Sequence, residues 1–499
     1  MPWRTTTSLC GCLIMSGPFG STAWMANPST GGFYDFPISN SLRFEDGDSP
    51  VLTRTPGSAS NRKTFTYSCW VKITGNASVF PLLTAKLTKD DTCMFMINTG
   101  ELAFQNRPGG TDNGVLFSNA LFRDVSAWYN FVLAVDTTDS TEANRLKIYV
   151  NGVQITSLRT ASYPSVNSDM LINSTEVHAI GKRQDNSAAY ADGYMADINF
   201  IDGLQLTPSS FGETKNDIWI PKDTAGLTFG TNGFRLQFKQ TGTGTASTST
   251  IGADTSGETN HYTSANLVAS DVMPDSPTNN FATLNPLSKF TSNTTLAEGN
   301  LKANASNSGA SNWGTTFSSI AIPSTGKYYI EGFAFINDGI GNSSHLGVLD
   351  SSSFIPSSSN VTYSFTTGEG FDGVHASLYG NTVQPVADGA LGTAVTGLTA
   401  TTIDVMLAVD VDAGKVWAGY NGTWLNSGDP AAGSGEIATR TFTANDVIAA
   451  GTSYNGTNDQ GMFTNFGQDS SFAGAKTAQN NADGNDIGDF YYAPPSGFL

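Results

Sequence analysis

The feature that most constrains this chain is a hairpin written twice. Residues 146–152 are LKIYVNG and residues 416–422 are VWAGYNG, each preceded by a similar strand, FVLAVD ending at Asp136 and VMLAVD ending at Asp410. Asn-Gly supplies the two positive-φ residues of a type I′ turn, which only a tight antiparallel hairpin uses in this context. With Asn151 and Gly152 as the loop, Val150 faces Val153 and Ile148 faces Ile155. That predicts four β-branched side chains on one core-directed face. With Asn421 and Gly422 as the loop, Tyr420 faces Thr423, Ala418 faces Leu425 and Gly419 lies opposite Trp424. Two related all-β domains in tandem are the expectation.

Composition supports that expectation and removes others. The 499 residues have room for two or three domains, each with its own core. Gly (53) and Pro (20) punctuate the chain throughout, and no long stretch carries apolar residues at helical spacing. The best helical signal, LTPSSFGE at 206–213, predicts one or two turns. The formal charge is −18 without any Lys/Arg run, so phosphate backbones are repelled and no nucleic-acid partner is expected. No apolar stretch is long enough for a membrane-spanning helix, so no membrane insertion is expected. The first 26 residues hold one Arg and a short apolar run broken by Gly, loosely like a secretion signal. Cys69 is in phase with Phe65, Tyr67 and Val71, and Cys93 with Phe95 and Ile97, so both are expected in a core. Cys10 and Cys12 lack a second Cys/His pair for zinc.

Along the chain, residues 1–37 are irregular, with isolated Trp3 and Trp24, and look like an arm that docks onto another surface. Residues 38–238 alternate short strands with turns, as in a sandwich or jelly roll. Residues 239–285 are a polar Thr/Ser/Gly stretch, expected to be a linker, and 286–499 form a second strand series. The final PPSGFL is apolar and abrupt, which suggests a further segment or a partner surface.

The strand FTYSCWVKI with Trp70, the pair YNFVLAVD and RLKIYVNG, and the run AIGKRQDNSAAYADGYMADINFIDGLQLTPSSFGE together resemble the laminin-G-like, concanavalin A-like jelly roll over about residues 38–215. In the second series GKYYIEGFAFI, HLGVLD, LAVDVDAGKVWAGYNGTW and MFTNFGQDSSF resemble a SPRY-like sandwich, the Asn465–Gln468 motif being the most distinctive. Both resemblances imply concanavalin A-like β-sandwiches. The segments SNSLRFEDGDSPVLTRTPGSASNRKTFTYSCWVKI, FIDGLQLTPSSFGE, DSPTNNFATLNPL and GDFYYAPPSGF also look like parts of structural proteins of tailed bacteriophages, particularly phages of marine bacteria. That resemblance implies a non-enzymatic virion protein: a tail fibre, spike or surface adhesin that attaches to host glycans. It further implies other virion proteins as partners, with Trp3 and Trp24 docking the arm onto them, a homo-oligomer such as a trimer, and a place on the virion surface. Alternatives are a decoration protein that stabilises the capsid shell, a virion-associated glycan hydrolase, and a secreted lectin.

Residue chemistry bears on these alternatives. A retaining glycosidase on such a fold needs two carboxylates on one strand face, as in E-x-D-x-E, and the sequence has no such pattern. Asp410 and Asp412 fall where a strand enters a turn and are expected to bond backbone N–H groups there. The four histidines (His178, His261, His345, His375) match no metalloprotease or nucleophile motif. No cofactor is expected. For calcium, Asp46 and Asp48 in EDGDSP offer oxygen ligands on a Gly-containing loop. For a glycan, Trp424 and Tyr190 are the aromatics placed near loop tips, each with a structural role as the alternative: Trp424 covering Gly419 and Tyr190 closing a sandwich edge.

Overall fold

The structure is a computed structural model that describes residues 32–75, 79–185, 189–289, 294–305, 312–335, 343–352, 370–377, 382–398, 402–454 and 460–499. Trp3, Trp24, Cys10 and Cys12 lie outside the described residues.

Both Asn-Gly turns form as read. Asn151 and Gly152 have φ of 45° and 82°, and Asn421 and Gly422 have φ of 44° and 79°. Val150 pairs with Val153, Tyr420 with Thr423 and Gly419 with Trp424. The expected core face is only partly one. Ile148 is buried and Val150 and Ile155 pack on the core, but Val153 is 68% exposed. The return strand, Val153–Gln154, is two residues long and forms the sheet edge, so nothing covers its end.

Among the described residues four eight-stranded antiparallel sheets form two sandwiches. In the first, sheet I runs in the order Val153–Gln154, Leu146–Val150, Trp128–Asp136, Thr64–Ile73, Gly193–Asp202, Ser41–Phe44 and Val272–Met273, with Phe234–Leu236 also on Gly193–Asp202. Sheet II runs Leu158–Ser162, Val115–Leu121, Glu101–Arg107, Thr92–Asn98, Val79–Lys86, Val177–Ile180, Val51–Arg54 and Thr263–Ala265. Period-two alternation places Phe65, Tyr67, Cys69 and Val71 of sheet I against Cys93, Phe95 and Ile97 of sheet II. Both cysteines are core residues as expected, and burial pushes the Cys93 thiol up to about 12.

The other face of sheet I is covered as well. Phe211 and Phe229 pack on Val132, Ala134, Tyr149 and Ile201. Trp70, Trp128, Tyr194 and Ala196 join the apolar cluster of the second sandwich. As a result every residue of Gly193–Asp202 is buried. The helical signal at 206–213 produces one 3₁₀ turn, Pro208–Ser210, followed directly by the strand Gly212–Lys215.

Residues 239–285 are not a linker. Thr263–Ala265 extends sheet II against Val51–Arg54, and Val272–Met273 extends sheet I against Ser41–Phe44. Ile251, Tyr262 and Leu267 enter the first core. The stretch is poor in apolar residues, but Ile251, Tyr262, Leu267 and Met273 are buried, and Gly252 lies where a Cβ would run into the Tyr262 carbonyl. Its last part carries Asp275, which pairs with Lys72 of sheet I at 2.7 Å, both side chains being fully buried.

In the second sandwich, sheet III runs Leu284–Lys289, Asn312–Ser318, Asp446–Tyr454, Ser343–Asp350, Asp372–Ser377, Thr382–Ala387 and Ala390–Leu391, with Val395–Thr396 on Thr382–Ala387. Sheet IV runs Thr294–Ala297, Lys302–Ala305, Gln460–Asn465, Lys327–Phe335, Thr402–Asp410, Lys415–Tyr420 and Thr423–Trp424, with Ala438–Thr439 on Lys415–Tyr420. The Asn465–Gln468 motif is a tie point. Asn465 Oδ1 accepts the Gly467 and Asp469 N–H groups at 2.8 and 3.0 Å, and Gln468 Nε2 donates to the Ala282 carbonyl at 2.7 Å. The buried Glu331 accepts from the Tyr491 and Tyr492 N–H groups at 2.8 and 2.7 Å and from the Tyr329 hydroxyl at 2.9 Å. The segment that follows stays on this sheet, with Phe498 buried and Leu499 donating to the Lys327 carbonyl at 2.9 Å.

The sandwiches meet around Arg43, whose side chain is 1% exposed and faces Asp271 at 2.9 Å, Glu298 at 3.2 Å and Asp469 at 3.6 Å. Tyr194 donates to the Gly299 carbonyl at 2.7 Å, and Gly299 N–H donates to Glu45 at 3.1 Å. Gly299 has φ of +65°, and a Cβ there would lie 2.3 Å from the Tyr194 hydroxyl, so only glycine fits. Burial, followed by the charge of Asp192, pushes Glu45 up to about 8, and burial pushes Asp192 up to about 6.

A carboxyl group whose pKa is higher folded than unfolded adds stability that is full below its unfolded value and is lost as pH rises through its folded value. Glu45, Asp192 and Glu331, the last pushed up by burial to about 7, therefore favour the fold progressively as pH falls from 9 to about 6. Buried His178 and His375, pulled down to about 4, oppose this below the ordinary histidine range. Thermal melts should give a higher Tm at pH 6 than at pH 9, with Glu45→Gln reducing the difference. Equal Tm values at the two pH values would refute the assignment.

Candidate functional site

The chain passes from sheet II to sheet I through residues 122–127, between Val115–Leu121 and Trp128–Asp136. Beside this crossing, next to the Asn151-Gly152 turn, an open groove of about 490 Å³ is bounded by Leu121, Phe122, Val150 and Val153 on its apolar side. Arg123, Asp124 and Asn151 supply its polar side, and Tyr129 also lines it.

Local chemistry fixes each of these groups. Phe122 packs edge-on against Tyr129 and Phe131, with ring centroids 5.4 and 5.1 Å apart, and its N–H donates to the Gly100 carbonyl at 2.8 Å. Asp124 Oδ1 accepts the Ser126 N–H at 2.9 Å and the Ser126 hydroxyl at 2.6 Å, which turns the chain into the next strand. Tyr129 accepts the Asp124 N–H at 3.3 Å, and burial pushes its phenol up to about 12, so it stays neutral. Asn151 is clamped to Asn130 by two bonds, of 2.9 and 2.8 Å. Trp219 backs the turn: its ring stands 2.5 Å from where a Cβ on Gly152 would be, and its indole donates to Asn130 Oδ1 at 3.1 Å.

These bonds leave Asp124 Oδ2, Asn151 Nδ2 and the Arg123 guanidinium without a hydrogen bond inside the described protein, flanking a strip made by Leu121 and Val153. An apolar strip edged by free donors and an acceptor suits a ligand with one apolar face and several hydroxyl groups. The groove holds neither a histidine nor a second carboxylate for acid–base chemistry.

Among the described residues, those singled out from sequence take up separate places in the fold. Trp424 is half-buried, packs edge-on against Tyr329 at 6.2 Å and would contact a Cβ on Gly419 at 3.1 Å, so it occupies its structural alternative. Tyr190 bridges Lys182 and lies under its ammonium, 5.3 Å from the ring centroid, closing the edge loop that returns at Ala191. Asp46 and Asp48 stand exposed in a 3₁₀ turn. Among the described residues no group of three or more His, Cys, Asp or Glu side chains is placed to hold a metal ion. Asp410 Oδ1 accepts the Ala413 N–H at 2.8 Å and Asp412 Oδ2 the Gly326 N–H at 3.2 Å, the turn role expected of them. His178 Nε2 accepts the Asn173 N–H at 2.9 Å as a satisfied core residue. Leu121, Arg123 and Asp124 carried no motif signal, since they become a site only where a sheet crossing meets a hairpin tip.

The comparisons with known proteins bear on the fold. Residues 45–210 match the concanavalin A-like lectin/glucanases superfamily. No curated protein matches the chain. Among solved structures, the concanavalin A-like sandwiches resemble mouse laminin α1 chain domains LG4-5 at 10% identity and a TM-score of 0.27, over 83% of each chain. They also resemble a putative carbohydrate binding protein from Bacteroides ovatus at 13% identity and a TM-score of 0.28, over 46% of this chain and 58% of that one. A third likeness is to the SPRY domain of human HERC1, at 14% identity and a TM-score of 0.25, over 36% of this chain and 96% of that one. Overlaps this loose carry no residue or ligand over to this chain.

Proposed function

We propose that this chain is a non-enzymatic surface protein of a tailed-bacteriophage virion, a tail fibre, spike or adhesin, that attaches to host glycans through the groove beside the Asn151-Gly152 turn. The observation that carries the glycan part is the groove itself, where Leu121 and Val153 form an apolar strip beside the unused polar atoms of Arg123, Asp124 and Asn151. The virion part rests on the sequence resemblance, which spans segments from both sandwiches and from the stretch between them. The sequence has no paired-carboxylate strand, which favours binding over hydrolysis. Weak single-site affinity is sufficient if repeated copies on a particle engage a cell surface together.

The exposed side chains provide a clean test. Leu121→Asp combined with Arg123→Ala should abolish retention on a glycan array or on host cells while leaving the Tm within a few degrees of the parent. Unchanged retention would reject the groove. Cryo-electron microscopy of the phage particle tests location: density at a tail tip supports adhesion, whereas density on capsomers would favour shell decoration.

A further inference from the structure

Among the described residues Lys72 is the only lysine that is fully buried. It stands on Thr64–Ile73 of sheet I, and its ammonium bonds only to residues 275–281, just ahead of the first strand of the second sandwich. Nζ lies 2.7 Å from Asp275 Oδ2, 2.9 Å from Asn280 Oδ1 and 2.6 Å from the Phe281 carbonyl. Asp275 is fully buried and Asn280 is 5% exposed, so these groups are shut off from bulk water. Two aromatic rings wall them in. The Trp128 indole donates to Asp275 Oδ1 at 3.1 Å, and Nζ stands 5.9 Å from the centroid of the Tyr194 ring.

An amine, a carboxamide and a carboxyl group thus meet at one nitrogen. The Ser126 carbonyl accepts an N–H of Asn280 Nδ2 at 2.8 Å, which turns the carboxamide oxygen toward Lys72 and leaves Cγ one C=O bond beyond it. In water such groups do not react, because an ammonium has no lone pair and each encounter is brief. Burial changes both conditions. It pulls Lys72 below the usual lysine range and pushes Asp275 above the usual carboxylate range, so passing one proton from Nζ to Asp275 removes two buried charges. The free amine can then turn about Cε–Nζ and aim its lone pair at Asn280. Fixed neighbours replace chance collision with an effective concentration on the order of 10⁵ M or more.

We propose that Lys72 and Asn280 condense into an intramolecular amide that staples sheet I to the segment entering the second sandwich. Nζ attacks Cγ, the Nζ–Cγ bond forms and the Cγ–Nδ2 bond breaks. Asp275 takes a proton from Nζ and delivers one to the departing Nδ2, which leaves as ammonia. An amine and a carboxamide become a secondary amide and ammonia, Asp275 is regenerated, and no other reactant is needed. The Lys72–Asp275 ion pair is the state before reaction and persists in any chain that has not reacted. Lys72 and Asn280 are 208 positions apart, so the bond restricts the unfolded chain far more than the folded one.

The intact mass of the denatured full chain tests this, on fresh protein and after prolonged warming below its Tm. The expected species is lighter than the sequence mass by one ammonia, resists trypsin at Lys72 and yields a branched peptide joining Lys72 to Asn280. The branch is decisive, because an Asn-Gly pair that cyclises to a succinimide also loses ammonia but gives an unbranched peptide. Asn280→Ala should keep its full mass and unfold at a lower urea concentration than the branched chain, and Asp275→Ala should form the bond about a hundredfold more slowly. The parent chain decides the matter even where a variant fails to fold. Full mass in both samples, or ammonia lost without the branch, would overturn the proposal and leave Lys72 and Asp275 as an ion pair. Loss of one water with a branch from Lys72 to Asp275 would overturn Asn280 as the reacting partner. Equal reaction in Asp275→Ala would overturn the proton-transfer role of Asp275.

Discussion

Asp275→Ala is expected to lower the unfolding free energy by about 3–5 kcal/mol, read as a fall in the urea midpoint. The size follows from what it leaves behind. The Lys72 ammonium is fully buried, and its three donors go to Asp275 Oδ2 at 2.7 Å, Asn280 Oδ1 at 2.9 Å and the Phe281 carbonyl at 2.6 Å. Asp275 Oδ1 also accepts the Trp128 indole N–H at 3.1 Å. Burial pulls Lys72 below the usual lysine range, and Asp275 is the charge that opposes this. Without the carboxylate, the ammonium must lose its proton or admit water, and Trp128 loses its acceptor. Replacing both partners, Lys72→Met with Asp275→Leu, should recover only part of the loss, because the apolar pair has no charge to desolvate but leaves the Trp128 indole N–H and the Phe281 carbonyl without these partners. A single Asp275→Ala change costing under about 1 kcal/mol would mean that the pair is not a buried ion pair.

Arg43→Met should have a comparable effect at the junction, about 3–5 kcal/mol, and should change the form of unfolding as well as its midpoint. Arg43 is the cation that draws Asp271 and Glu298 together with Asp469 of the second sandwich. Glu45 and Asp192, which burial already disfavours as anions, belong to the same acidic surroundings. Removing the guanidinium leaves these carboxylates facing one another across the interface. Calorimetry should then resolve two transitions where the parent shows one, as each sandwich unfolds separately. Arg43→Lys should be intermediate, since a point ammonium cannot span three carboxylates as a planar guanidinium does. One unchanged transition in Arg43→Met would show that the apolar contacts of Trp70, Trp128 and Tyr194 couple the sandwiches without it.

Local rules proved dependable wherever neighbours in sequence are also neighbours in space. The Asn-Gly turns, the Gly419–Trp424 pairing and the core phases of Cys69 and Cys93 were all legible, because a type I′ turn sets register and strand alternation sets the face. Val153 escaped the pattern because alternation identifies a face without showing what covers it. The stretch 239–285 escaped because a count of polar residues gives no weight to the burial of Tyr262 or Asp275. Likewise, the aromatics picked for sugar stacking went to other partners: Trp424 to Tyr329 and Tyr190 to Lys182.

By itself, then, the sequence determined an all-β chain with two related hairpins and no strand-borne carboxylate pair, since backbone geometry and residue periodicity decide those properties locally. Only the tertiary structure decided that Lys72 and Arg43 would be buried among carboxylates, that a Thr/Ser/Gly stretch would complete both sheets of the first sandwich, and which polar atoms would be left for a ligand. Arg54 shows the reason most clearly. Its strand and its two asparagine partners, Asn232 and Asn260, come from three separate parts of the chain, so the way its guanidinium is held is a property of their packing that no run of residues records.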